Sequence, residues 1–171
     1  MKYYLLTFLS ILANHGICCT CGPERTVTDE FNGSDKIVIG TILSQEEILQ
    51  TDSMEFNRLL KKGVNETQAR RFTTGGYRQF TLVLSESAYK GTFATDTVLI
   101  RTGLTSGSCG FSFQIGKKYV VYGYNRDPIP NESNDKSEQF WTNNCTRTNL
   151  FNDREQKALT RIVKRNEKKS P

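Results

Sequence analysis

Tyr77-Arg78-Gln79-Phe80-Thr81-Leu82-Val83-Leu84-Ser85-Glu86-Ser87-Ala88-Tyr89 is a long stretch in which apolar and polar residues alternate. Side chains of an extended strand repeat every second residue, so Phe80, Leu82 and Leu84 fall on one face. Gly75-Gly76 opens this stretch and Lys90-Gly91 turns the chain after it. Working outward, Lys36 to Leu43 (KIVIGTIL) is a β-branched, strand-like run on the N-terminal side. On the C-terminal side Asp96 to Thr102 (DTVLIRT) and Lys117 to Tyr124 (KKYVVYGY) read as further strands, and Phe140-Trp141-Thr142 as a short fifth. Between the first two strands, Ser44 to Phe72 is polar, has capping-box spacing at Ser44/Glu47 and Asp52/Glu55, and places Phe56, Leu59 and Leu60 at helical intervals. It reads as a partly helical insertion.

Helices flank this β pattern. Glu24 to Phe31 is a short helical candidate ended by the turn Asn32-Gly33-Ser34-Asp35. Asn152-Asp153-Arg154-Glu155 caps a C-terminal helix in which Leu159, Ile162 and Val163 share a face, and its basic end, residues 164–171, is expected to fray. Arg126 to Glu138, with two prolines and several polar residues, is an exposed loop. Five short strands and a terminal helix predict a mainly β fold: a small, closed or partly closed antiparallel barrel of five strands with flanking helices.

A chain of 171 residues has room for one modest domain, and ten Phe and seven Tyr supply apolar surface for its core. The N-terminus reads as a processing signal. Lys2 precedes an uncharged run, Tyr3 to Ala13, that is too short to cross a bilayer as a helix. Cleavage after Cys18 would put Gly16 and Cys18 at the positions a signal peptidase inspects, so residues 1–18 are expected to be removed and residues 19–171 to form a single exported domain. Lipid attachment at Cys18 or Cys19 fits less well, because the preceding Ile17 or Cys18 is not the small apolar residue normally found there. Cleavage would also remove His15, the single histidine, and with it histidine-based nucleophilic catalysis and histidine-ligated metal sites. No second hydrophobic run follows, so no transmembrane segment is expected.

Export favours disulfides, and this cleavage leaves four cysteines: Cys19, Cys21, Cys109 and Cys145. Cys19 and Cys21 are too close to join each other without strain, which leaves two long-range bridges in either of two pairings. Chain-entropy arguments give each such loop on the order of 4 to 5 kcal/mol.

The arrangement resembles the N-terminal, netrin-like domain of the tissue inhibitors of metalloproteinases. The residues that carry the likeness are Cys19-Thr20-Cys21 after a signal peptide, Phe31 to Asp35 before the first strand, and Ala88-Tyr89-Lys90-Gly91. Ser108-Cys109-Gly110-Phe111, Gly116 to Tyr122 and Asn144-Cys145-Thr146 follow in the family's order. The likeness spans nearly all of Cys19 to Val163. It implies an oligonucleotide/oligosaccharide-binding (OB) type barrel with bridges from Cys19 to Cys109 and from Cys21 to Cys145. It also implies inhibition of a zinc metalloendopeptidase, whose zinc would be chelated by the free amine and carbonyl oxygen of Cys19. Thr20 would enter the protease pocket beside the zinc, with Cys21, Gly22 and Pro23 following along the substrate cleft. The loop Thr105 to Cys109, with small residues Gly107 and Ser108, would form the second half of the contact ridge. Such an inhibitor needs no metal or cofactor of its own. The third disulfide and the C-terminal domain of animal inhibitors have no counterpart here, and Ser44 to Phe72 differs from their simple hairpin.

The alternative is a non-inhibitory netrin-like module in which Cys19-Thr20-Cys21 is only a disulfide anchor. The acids form no catalytic pair, so no enzyme activity is expected. Export makes nucleic acid an improbable partner. Lys157, Arg161, Lys164, Arg165, Lys168 and Lys169 cluster in the last helix, where a solvated face is the default and contact with an acidic glycan or a cell surface the alternative. Asn32, Asn65, Asn131 and Asn144 each start an Asn-x-Ser/Thr sequence, which is used only where the host glycosylates exported proteins.

Overall fold

A computed structural model describes residues 20–125 and 139–168. The expected signal peptide, Cys19, the loop Arg126 to Glu138, and Lys169 to Pro171 lie outside the described residues.

Among the described residues the chain is mainly β with four helices. Helix α1 (Val27–Gly33) leads into the long strand β1 (Lys36–Thr51). Helices α2 (Ser53–Lys61) and α3 (Glu66–Thr73) follow before β2 (Thr74–Leu84) and β3 (Thr97–Gly103). Strands β4 (Lys118–Gly123), β5 (Gln139–Trp141) and β6 (Asn149–Leu150) precede the C-terminal helix α4 (Asp153–Glu167). All six strands form one sheet in the order β5-β3-β2-β1-β4-β6.

This corrects the expected five-stranded, purely antiparallel barrel in three respects. There is a sixth strand, a two-residue edge too short to carry a period. The β3–β5 pair is parallel. It is parallel because β4 crosses to the other side of β1, so the chain returns to β3 running in the same direction. The third difference is that the continuous ladder leaves two edges. Across that opening Tyr124, just past β4, makes an isolated antiparallel bridge with Trp141 of β5, with N–H···O distances of 2.9 and 3.0 Å.

The alternation in β2 is realised. Phe80 and Leu82 are fully buried and join Val38, Ile42, Val98, Ile100, Phe113, Tyr119, Val121 and Phe140 in one core, with Leu84 packed against it. The first half of β1, Lys36 to Ile42, and β4 are buried on both faces. Their other set, Ile37, Ile39, Val120 and Tyr122, packs with Phe31 of α1 and Leu159 of α4. A parity change of one residue in either strand would move each set into the wrong core.

The polar insertion is only partly helical. Ser44 to Thr51 continues β1 and pairs with Thr74 to Thr81 beyond a bulge between Ile42 and Ser44, so Ser44 caps no helix. Residues 43–47 are all exposed, and a strand wet on both faces has no hydrophobic period to reveal it. The capping residue at Asp52 is realised: its carboxylate accepts from the Met54 and Glu55 amides at 3.0 Å each. Likewise the Asn152 side chain accepts from the Glu155 amide at 2.8 Å and starts α4.

Candidate functional site

The N-terminal segment is fastened by one bond that the sequence left open between two pairings. Cys21 is disulfide-bonded to Cys145, with 5.1 Å between their Cα atoms and a sequence separation of 124. Cys109 is also disulfide-bonded. Since Cys21 and Cys145 are joined to each other, the sulfur bonded to Cys109 lies outside the described residues.

The turn that receives Cys21 is stiffened by its neighbours. The Asn143 side-chain oxygen accepts from the Cys145 amide at 2.8 Å, the Asx-turn arrangement, while its amide nitrogen donates to the Tyr124 hydroxyl at 2.9 Å. Thr142, Thr146 and Thr148 place their hydroxyls within 2.9 Å of one another, and the Thr142 and Thr148 hydroxyls both reach the Tyr122 carbonyl. Three small β-branched residues thus replace a regular ladder beside β4. The Asn144 amide donates to the Cys109 carbonyl at 2.9 Å, so the turn bearing Cys145 and the loop bearing Cys109 are direct neighbours.

Arg147 is the second fastening. Its guanidinium donates to Glu24 at 2.9 Å and to the Arg25 carbonyl at 2.8 Å on the N-terminal segment. On its other side it donates to both Glu155 oxygens, at 2.8 and 3.2 Å. Glu155 is buried and also accepts from the Tyr122 hydroxyl at 2.7 Å. The network therefore runs from the second core through α4 to the segment ahead of α1. Hydrogen bonding to Glu155 raises Arg147 above its already high ordinary pKa. Burial, and then the hydrogen bond to the same carboxylate, holds the Tyr122 hydroxyl above the usual phenol range.

Each expected contact residue can now be placed. Thr20, Cys21, Gly22 and Pro23 are exposed and precede the first helix. A Cβ added at Gly22 would meet nothing. Gly107 and Ser108 are exposed in a single 3₁₀ turn (Ser106–Ser108), where Thr105 and Ser108 cap each other reciprocally. Cys109 closes that turn with φ 57°, in the left-handed region. The neck of the loop is closely packed: a Cβ at Gly110 would overlap the Gly103 carbonyl, and one at Gly103 would overlap the Ser108 carbonyl. The disulfide and the Asn144–Cys109 hydrogen bond thus bring Thr20 to Pro23 and Thr105 to Cys109 to one end of the sheet. A cavity of about 220 Å³ lies beside Cys145, lined by Arg25, Glu30, Tyr124, Asn143 and Thr146 among others.

Sequence reasoning missed Arg147, Glu155, Tyr122 and Asn143. Arg147 lies 123 residues from Glu24, and no local spacing announces such a pair. Asn143 was open to detection, since an Asn two residues before a turn residue is an Asx-turn signal.

Among the described residues no group of three or more His, Cys, Asp or Glu side chains is placed to hold a metal ion. No described helix is long and apolar enough to cross a membrane. No protein-family model matches the chain, and no curated protein matches its sequence.

Proposed function

We propose that this protein is an exported inhibitor of zinc metalloendopeptidases, acting through the free N-terminal amine and the carbonyl oxygen of Cys19 after removal of residues 1–18. The observation that carries this reading is the seat of Cys21: a disulfide to a turn that is itself hydrogen-bonded to Cys109. A second bridge from Cys19 to Cys109 completes the clamp, which accounts for the bond that Cys109 makes outside the described residues.

An α-amine and the carbonyl of the same residue close a five-membered chelate ring on a metal. The amine must shed its proton, and with an ordinary pKa of about 7.7 to 8.0 it does so readily against zinc. The chelate takes the coordination position that a catalytic zinc keeps for water, which removes the protease's nucleophile. A first residue clamped through both Cys19 and Cys21 loses little freedom on docking, so little of the contact energy is spent on ordering. Thr20 lies next along the chain and sets selectivity through its side chain, with Gly22, Pro23, Gly107 and Ser108 along the ridge. We further infer that the sheet is a partly closed variant of the OB-type barrel, with the isolated Tyr124–Trp141 bridge spanning its opening and β6 an added edge.

The test compares mature protein beginning at Cys19 with the same protein carrying one additional alanine before it. Inhibition of a zinc endopeptidase is expected for the first and at least a hundredfold weaker inhibition for the second. Equal inhibition by both overturns the chelation mechanism. No inhibition by either leaves the bridges as an anchor only and overturns the inhibitor reading itself.

A further inference from the structure

We propose that the outward face of α4 is a binding site for a linear sulfated polysaccharide, a function separate from the N-terminal site. Arg154, Lys157, Arg161, Lys164, Arg165 and Lys168 are all exposed. At 100° per residue these six positions fall within a stripe about 100° wide, running about 21 Å along the helix and its last residue. The opposite side is the packed one: Leu159 is buried, and Ile162 and Val163 rest on the second core. The stripe therefore faces solvent along its full length.

None of the six cations takes part in an ion pair among the described residues. Of the acids of α4, Glu155 points inward to Arg147 and Tyr122, while Asp153 and Glu167 border the stripe, four residues from Lys157 and three from Lys164, and form no ion pair with them among the described residues. Along the stripe, Arg154/Lys157, Lys157/Arg161, Arg161/Lys164, Arg161/Arg165 and Lys164/Lys168 are like-charged neighbours three or four residues apart, and such pairs oppose helix formation. A helix C-terminus favours cations only in its last turn, which accounts for Lys164 and Arg165 but not for Arg154, Lys157 and Arg161. A polyanion laid along the groove-free face would neutralise the whole row, and a straight row of point charges matches a linear chain of sulfates.

Two observations choose a glycan over nucleic acid. The Cys21–Cys145 disulfide marks an oxidising compartment. The helix offers no aromatic side chain on which an unpaired base could stack.

The probe is immobilised heparin, presented with the mature protein at physiological ionic strength, where the screening length is about 8 Å. Arg161→Gln/Lys164→Gln/Arg165→Gln should bind at least tenfold more weakly and elute at lower salt. The control Lys61→Gln/Lys62→Gln/Arg71→Gln removes the same charge from exposed positions of the hairpin helices and should bind within twofold of the parent. Equal losses in the two variants would reduce the effect to net charge and overturn the site. Desulfated heparin should fail to compete; effective competition by it, or by duplex DNA at matched charge, would overturn sulfated glycan as the ligand. Both triple variants should keep the parent's thermal midpoint, since every substituted side chain is exposed.

Discussion

The segment Thr20 to Arg25 and the segment Asp52 to Thr73 both project from the same sheet, but they are held by different kinds of force. The first has almost no secondary structure and no apolar anchor of its own. It is fixed by a disulfide and by an arginine whose other partner is a buried carboxylate. The second is two well-capped helices, yet α2 buries no residue and α3 buries only Ala69 and Thr73. Its ion pairs, Glu55–Arg58 and Glu66–Arg70, lie within single helices on the surface. Regular structure is thus a poor guide to rigidity here. The irregular segment is tied to distant parts of the fold, while the helical one is tied mainly to itself and to the end of the β1–β2 hairpin.

Breaking the covalent tie should produce the largest change. Cys21→Ser together with Cys145→Ser should lower stability by about 2 to 5 kcal/mol, read from urea unfolding. A loss below about 1 kcal/mol would mean that the noncovalent network already holds the segment. Next in size, Arg147→Met leaves the Glu155 carboxylate buried without its main cation, and should cost about 3 kcal/mol. It should also raise hydrogen exchange in residues 24–26, a readout that a change confined to the core would not give. Unchanged exchange there would remove Arg147 from the tether.

A third change is in pH. Because the folded protein keeps Tyr122 protonated above the ordinary phenol range, the contribution of this group is complete below about pH 10 and is lost as the pH rises above it, where the unfolded tyrosine ionises. Tyr122→Phe should therefore lose on the order of 1 kcal/mol less than the parent between about pH 8 and pH 11. The smallest effect belongs to the other projection. Thr51 and Thr74 face each other across the hairpin, so replacing residues 52–73 with Asn-Gly closes the same two strands with a tight turn. Stability should change by less than about 1 kcal/mol. A larger loss would show that the helical cap supports the sheet after all.

The same contrast explains what could be read in advance. β2 was legible because one face is wet and the other enters a core, so Phe80 and Leu82 fall on alternate positions. The first half of β1 and all of β4 were legible as continuous apolar runs because both of their faces are buried. The second half of β1 was illegible for the opposite physical reason: with residues 43–47 all exposed, its pairing to β2 rests on backbone hydrogen bonds that any sequence can make. At the candidate site, the cysteines were recognisable as residue types, but their pairing is a property of the folded topology. Arg147 looked like any surface arginine, because its partners become neighbours only after β4, α4 and the N-terminal segment have assembled. By contrast, the α4 cations were visible one by one, and the helix itself arranges them in a row.

The mutual exclusion between Gly103 and Gly110 divides the intervening loop into parts with different freedom to vary. Even a methyl group at either neck position meets backbone, whereas a Cβ at Gly107 has only an ordinary contact to the Thr105 hydroxyl and Ser106 is exposed. A combinatorial library that tests the proposed inhibitor for new target preference should therefore diversify Ser106 and Gly107 together with Thr20 and Gly22, and hold the two neck glycines constant. Descendants of this sequence under selection should show the same signature, with rapid drift at the loop's crown and stasis at its base.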